Sequence, residues 1–186
     1  MSHLQVEKLP LPGVLRITPP RHGDARGYFS ETYNQAAFAE AGVPAGFLQD
    51  NQSFSRDRGT IRGLHFQTSP FAQAKLVRVL RGSIFDVAVD LRRASPTWGK
   101  SIGVALSADD GGQLFVPAGF AHGYCTLEPN TEVLYKVDAS YSREHERALL
   151  WNDPALGIAW PIGADEAILN ERDRNALPLH ALPDCF

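Results

Sequence analysis

From Gly59 to Ser140 the chain is a succession of short apolar or alternating runs, rich in Val, Ile, Leu and Phe and broken by Gly, Asp, Asn and Pro clusters. Such runs are too short for helices and read as strands, so the fold class is all-β. The clearest run is Ile84 to Leu91, with Phe85, Val87, Val89 and Leu91 on one face and Asp86 and Asp90 on the other. That second face looks into something polar. Leu76–Leu80, Arg81-Gly82-Ser83 and Ile84–Leu91 read as a hairpin, and Ser101–Leu106 with Gln113–Val116 as another across Ala108–Gly112. Consecutive hairpins predict a sandwich or barrel. Helix signals fall on the flanks: Asn34 caps Gln35–Ala41 with Gly42 as the stop, and a short helical piece lies within Ala164–Arg174. These flanks are expected to pack outside the barrel, with an irregular tail from Leu177 to Phe186 lying over it.

At 186 residues, 44% of them hydrophobic, the chain can bury one sizeable core, which predicts a single domain over 1–186. A formal net charge of -3 argues against a general nucleic-acid binder, while local arginines still suit a small anion. Cys125 and Cys185 are the only cysteines and have no metal-type spacing, which fits a reducing compartment. Neither Met1–Pro12 nor any later stretch carries the run of roughly 18 apolar residues needed for a membrane span. The expectation is a cytoplasmic protein with no membrane or nucleic-acid partner.

In Ile61–Gln67, Gly63, His65 and Gln67 share one strand face and Leu64 and Phe66 the other. His65 then points into a lumen, where an imidazole titrating near neutrality suits proton abstraction. A lone strand histidine is more often a hydrogen-bonded structural residue. If alternation holds, Lys75 and Tyr135 face the same lumen, giving a base, a cation for a developing enolate oxygen and an acid. The bland alternative is a packed tyrosine and a solvated lysine. Val116–Gly123 matches the Pro-x-Gly-x-x-His half of the cupin double-stranded β-helix pattern. The other half should hold His-x-His and a downstream Glu, yet His65-Phe66-Gln67 offers one imidazole and an amide, so no catalytic metal is expected. Upstream, Arg26 and Arg62 are suited to a diphosphate and Phe29 to stacking on a base. Read blandly, Asp24–Glu31 is a surface turn with an ion pair.

Together these stretches resemble the dTDP-4-dehydrorhamnose 3,5-epimerase family over roughly Gly23 to Trp160. The likeness rests on Asp24-x-Arg26-Gly27-x-Phe29-x-Glu31, Gln49-Asp50-Asn51, Arg62–Gln67, Lys75-Leu76-Val77, Phe85–Arg92, Ser95-Pro96-Thr97, Gly119–Gly123, Leu134-Tyr135-Lys136 and Trp151-Asn152-Asp153. It implies a cupin-type jelly-roll barrel with short flanking helices, a homodimer, no cofactor, and epimerisation of a nucleotide-linked 4-keto sugar at carbons 3 and 5 in deoxysugar biosynthesis. By the same likeness His65 is the base, Tyr135 the acid, Lys75 the enolate partner and Asp173 the orienter of the histidine. Arg26, Phe29, Glu31, Gln49, Asp50, Asn51, Arg62, Lys75, His122, Glu146 and Arg172 are implied as substrate contacts. Three alternatives stay open: an epimerase of one carbon only or of another dTDP-4-keto-6-deoxy sugar, a non-catalytic nucleotide-sugar-binding barrel, and a metal cupin, against which Gln67 argues.

Overall fold

A computed structural model describes residues 3–44 and 46–186. Its strands, in chain order, are β1 (Gln5–Lys8), β2 (Leu15–Thr18), β3 (His22–Asp24), β4 (Gly27–Phe29), β5 (Gln49–Ser55), β6 (Ile61–Gln67) and β7 (Lys75–Arg81). They continue with β8 (Ser83–Asp90), β9 (Ser101–Ser107), β10 (Gln113–Val116), β11 (Phe120–Thr126), β12 (Thr131–Val137) and β13 (Glu146–Ala148). A larger sheet runs in the order β1-β2-β10-β7-β12-β5 and a smaller one in the order β13-β6-β11-β8-β9, while β3 and β4 form a separate ribbon. The two sheets close as a cupin-type jelly roll, the all-β class expected from the alternation.

Between β6 and β12 the chain changes sheet at every connection except β8 to β9. Both hairpins expected from sequence are therefore corrected. β7 pairs with β10 and β12, whereas β8 pairs with β9 and β11, so the Leu76–Leu80 and Ile84–Leu91 runs lie in opposite sheets. The single residue between them, Gly82, is too short a link for a two-residue hairpin turn and instead makes a corner. Its φ is +76°, and a Cβ there would stand 2.5 Å from Thr131 Oγ1. Likewise β9 is taken up by β8, and β10 lies between β2 and β7.

Inward residues of the two sheets form one core, including Val77, Val79, Ile84, Ala88, Leu106, Leu114, Phe120 and Val133. A second apolar cluster sits on the outer face of the smaller sheet, where Leu64, Phe66, Val87 and Val89 meet Leu149, Leu156, Leu179 and Leu182. The tail thus covers the barrel, as expected, and includes a short 3-10 turn at Leu179–Ala181. The strap after Trp160 is stitched on by Ile168, which accepts from Ile61 N and donates to Gly59 O. On the larger sheet, α1 (Gln35–Glu40) is capped by Asn34 and packs Phe38 against Leu15, Ile17, Leu76 and Phe115. The helical piece expected in Ala164–Arg174 is only α2 (Glu171–Arg174), whose start is fixed by Asn170 accepting from Asp173 N. Among the described residues no helix is long and apolar enough to cross a membrane.

Candidate active site

The site begins with an irregularity in β6. His65 pairs with His122 of β11, and Arg62 pairs with Tyr124, so three steps on one strand meet two on the other. This bulge breaks the alternation, turning Arg62 and His65 to the same hollow while Leu64 packs outward. Gly63 makes it possible: its φ is +134°, and a Cβ would stand 2.5 Å from Gly123 Cα. Its N–H donates to Asp173 Oδ2 at 3.2 Å, tying the bulge to α2.

His65 Nε2 lies 2.6 Å from Asp173 Oδ1, so the pairing expected from sequence forms. Burial pushes the Asp173 carboxyl up, but the hydrogen bond and charge of His65 and the Gly63 amide outweigh it and hold it below the usual range. A carboxylate accepting Nε2–H fixes the tautomer that leaves Nδ1 with the lone pair. Lys75 begins β7 and is buried rather than solvated, with Nζ donating to His65 O at 3.2 Å. Burial lowers its ammonium to about 8, opposed by the charges of Asp86 and Glu146. Tyr135 stands on β12, opposite Asn51 on one side and Val77 on the other. Burial raises its hydroxyl above the ordinary value, against the pull of Arg62, so it stays protonated.

Two adjoining hollows of about 150 Å³ each share His65, Lys75 and Tyr135. One is completed by Gln49, Asn51, Gln67 and Glu146, the other by Arg62, His122, Asn170 and Asp173. Arg62 is held at the rim by Ser55 Oγ and Phe54 O, and Gln49 donates to Asn51. Arg172 bonds Glu146 Oε2 at 2.8 Å, so it reaches the hollow through that carboxylate. His122 is buried in the wall with Nε2 2.7 Å from Asp86 Oδ1, and burial lowers its pKa. Gln67 is engaged by Phe71 O, Ser140 O and Ser142 N, so it clasps a loop.

Four expected residues are not brought to the hollow. Asp50 is on the outer face of β5, bonded to Lys136, because strict alternation turns it opposite to Gln49 and Asn51. Arg26, Phe29 and Glu31 lie on or beside the β3–β4 ribbon, where Arg26 pairs with Asp24 at 2.6 Å and Phe29 is 71% exposed. Within one chain the surface turn with an ion pair describes this segment. Conversely, Ser53, Gln73, Tyr124 and Tyr141 line the hollows without having been singled out. Tyr124 and Ser53 sit on strand faces that alternation alone assigns inward, whereas Tyr141 is in a loop that periodicity does not place.

A family model described as dTDP-4-dehydrorhamnose 3,5-epimerase matches residues 8–181. A dTDP-4-dehydrorhamnose 3,5-epimerase of Sinorhizobium fredii is 48% identical over 186 residues, covering 100% of this chain and 95% of that protein. The crystal structure of the Bacillus anthracis enzyme of that name, with TDP and PPi bound, superposes with a TM-score of 0.91 at 47% identity, over 94% of this chain and 99% of the other. A dTDP-6-deoxy-D-glucose-3,5-epimerase of Legionella pneumophila, in complex with dTDP-4-keto-L-rhamnose, gives a TM-score of 0.92 at 38% identity, over 97% and 95% of the two chains. With its barrel, its histidine–aspartate pair and matches across nearly its whole length, the chain belongs to the dTDP-4-dehydrorhamnose 3,5-epimerase family.

Proposed function

We propose that this protein epimerises dTDP-4-dehydro-6-deoxy-D-glucose at carbons 3 and 5, giving dTDP-4-dehydro-L-rhamnose. Both protons are alpha to the 4-keto group, so each inversion is a deprotonation to an enolate and a reprotonation from the other face. The observation that carries the reading is the placement of His65 on the smaller sheet and Tyr135 on the larger, facing one hollow from opposite walls. His65 Nδ1 takes the proton and Asp173 steadies the resulting imidazolium. Lys75 supplies a desolvated cation for the enolate oxygen, and Tyr135 returns a proton from across the ring. Only protons move, so the chemistry calls for no redox or carrier group.

Arg62, Gln49, Asn51, His122, Glu146 and, through it, Arg172 are assigned to holding the nucleotide sugar. Arg26, Phe29 and Glu31 fit that role only if the ribbon serves a second copy of the chain, which supports a homodimer with each ribbon laid against its partner's site. We take residues 1–186 to act as one catalytic domain, since the segment carrying Asp173 packs on the barrel. The free thiols of Cys125 and Cys185 are compatible with a cytoplasmic setting.

Proton NMR of the purified protein with dTDP-4-keto-6-deoxyglucose in deuterium oxide tests the reading. Loss of the signals at carbons 3 and 5 with a rhamno-configured product is expected. Loss of one signal would make the protein a single-carbon epimerase, and retention of both would overturn catalysis on this sugar.

A further inference from the structure

Behind the wall of the hollow lies a buried carboxylate with no role in the mechanism above. Asp86 projects inward from β8, has no exposed surface, and does not line either hollow, so it does not touch the sugar. Its Oδ1 lies 2.7 Å from His122 Nε2, while Oδ2 is buried without a hydrogen-bond partner. Leaving a charged oxygen so placed is costly unless something nearby needs the charge. Such a need stands at Lys75, which lines one hollow with His122, the partner of Asp86, and whose buried ammonium has one hydrogen bond, to a backbone carbonyl, and no ion pair within 4 Å among the described residues.

We propose that Asp86 is a positioning residue that acts through Lys75, a countercharge set one layer back which keeps the ammonium protonated without occupying its N–H groups. The proposal rests on Lys75 meeting the enolate oxygen, as assigned above. A carboxylate in direct contact would keep Lys75 charged but take up its donors. With no carboxylate nearby, desolvation would strip the proton. Standing back satisfies both demands: burial lowers Lys75 to about 8, with Asp86 the foremost charge resisting the fall. His122 anchors the carboxylate, and burial keeps that imidazole neutral, so it does not cancel the charge. The other titratable groups lining the hollows with Lys75 are Arg62 and His65 from β6, His122 and Tyr124 from β11, Tyr135 from β12, Tyr141, Glu146 from β13 and Asp173 from α2, the last engaged by His65 and the Gly63 amide. Glu146 is partly engaged by Arg172 and Tyr141, which leaves Asp86 as the less compromised negative charge.

Asp86→Asn keeps the shape and the acceptor for His122 and removes only the charge. The Lys75 Nζ resonance, followed by 15N NMR in ligand-free protein, should titrate at least one pH unit lower in Asp86→Asn than in the native protein. In turnover, kcat should fall about fivefold or more at pH 8 with KM changed less than about threefold, and the alkaline limb should move to lower pH. Asp86→Glu, which keeps the charge, should recover most of the loss. An unmoved Lys75 titration in folded Asp86→Asn would overturn the proposal. Should Asp86→Asn fail to fold, Glu146→Gln decides: a Lys75 titration that moves less than half a pH unit in that variant supports Asp86 as the countercharge, and a larger fall would overturn the proposal by giving that role to Glu146. Because the titration needs no substrate, a shifted Lys75 in a protein inert toward the sugar would count against the proposed function alone.

Discussion

His65 and Asp173 are 108 positions apart yet meet in a 2.6 Å contact, and a carboxylate accepting one ring N–H leaves the other nitrogen with the lone pair. With His65 assigned as the base, His65→Ala should abolish deuterium exchange at both sugar carbons while dTDP affinity, read by calorimetry, changes less than about threefold, because that assignment sets the imidazole against the ring and not the diphosphate. Tyr135→Phe should let exchange outlast net inversion, since removing the acid blocks reprotonation rather than deprotonation. Lys75 sets a limit of its own. Its pKa is lowered by burial to about 8, and the charged form is the useful one, so kcat/KM should hold below that value and fall as pH rises through it. A decline only near pH 10 would show that Lys75 is not required as a cation. His65 and Tyr135 were legible as inward residues because alternation reports strand faces. Lys75 was read into the same lumen and lines both hollows, but the depth of its burial was not legible, since a lysine at a strand end looks solvated until the opposite wall is known. Asp50 misled for the converse reason: it belongs to a motif, but its neighbours Gln49 and Asn51 occupy the inward face.

Among the elements, the link from β8 to β9 is organised around Asp90, fully buried and bonded by Arg92, Ser95 and Thr97. Burial alone would raise this carboxyl, but those bonds prevail and hold it at about 2. A carboxyl lowered in the fold stabilises above its unfolded pKa of about 4, and that contribution is lost as pH falls toward the folded value. Asp90→Asn should therefore cost about 2 kcal/mol in urea unfolding at pH 7. The gap should narrow between pH 4 and pH 2, and a constant difference would mean the loss is steric rather than electrostatic. Strand existence was readable along this stretch, but partnership was not. The apolar period of β7, β8, β9 and β10 says which side chains turn inward and is silent on which sheet a strand joins. The link between β7 and β8 read as three residues, Arg81-Gly82-Ser83, and it is the strand ends in the fold that shorten it to Gly82 and make it a corner. The bulge at Gly63 likewise left no mark on hydrophobicity, though it is what turns Arg62 toward His65.

At the scale of the whole molecule, one chain presents the two hollows and, outside their lining, an exposed ribbon bearing Arg26 and Phe29. If each ribbon serves its neighbour, mixing and refolding two inactive chains, His65→Ala and the double variant Arg26→Ala, Phe29→Ala, should restore activity. Equal mixing gives half the dimers one intact site, or about a quarter of native turnover. No recovery, with dimers verified by light scattering, would mean that the ribbon does not complete the neighbour's site. The strap after Trp160 carries a different consequence. It is attached by a few backbone bonds, by Ile162, Ala167 and Leu169 packed on Ile61, Cys125 and Trp151, by Leu179 and Leu182 on the outside of the smaller sheet and by the bonds of Asp173, and it contributes no strand to the barrel sheets. Amide hydrogen exchange should find Asp173 and its neighbours opening more often than β8 or β11. Each such opening leaves the barrel standing while His65 loses the carboxylate that orients it. Catalytic competence is therefore more fragile than the fold that houses it, and mild denaturant should silence the enzyme well before its strands come apart.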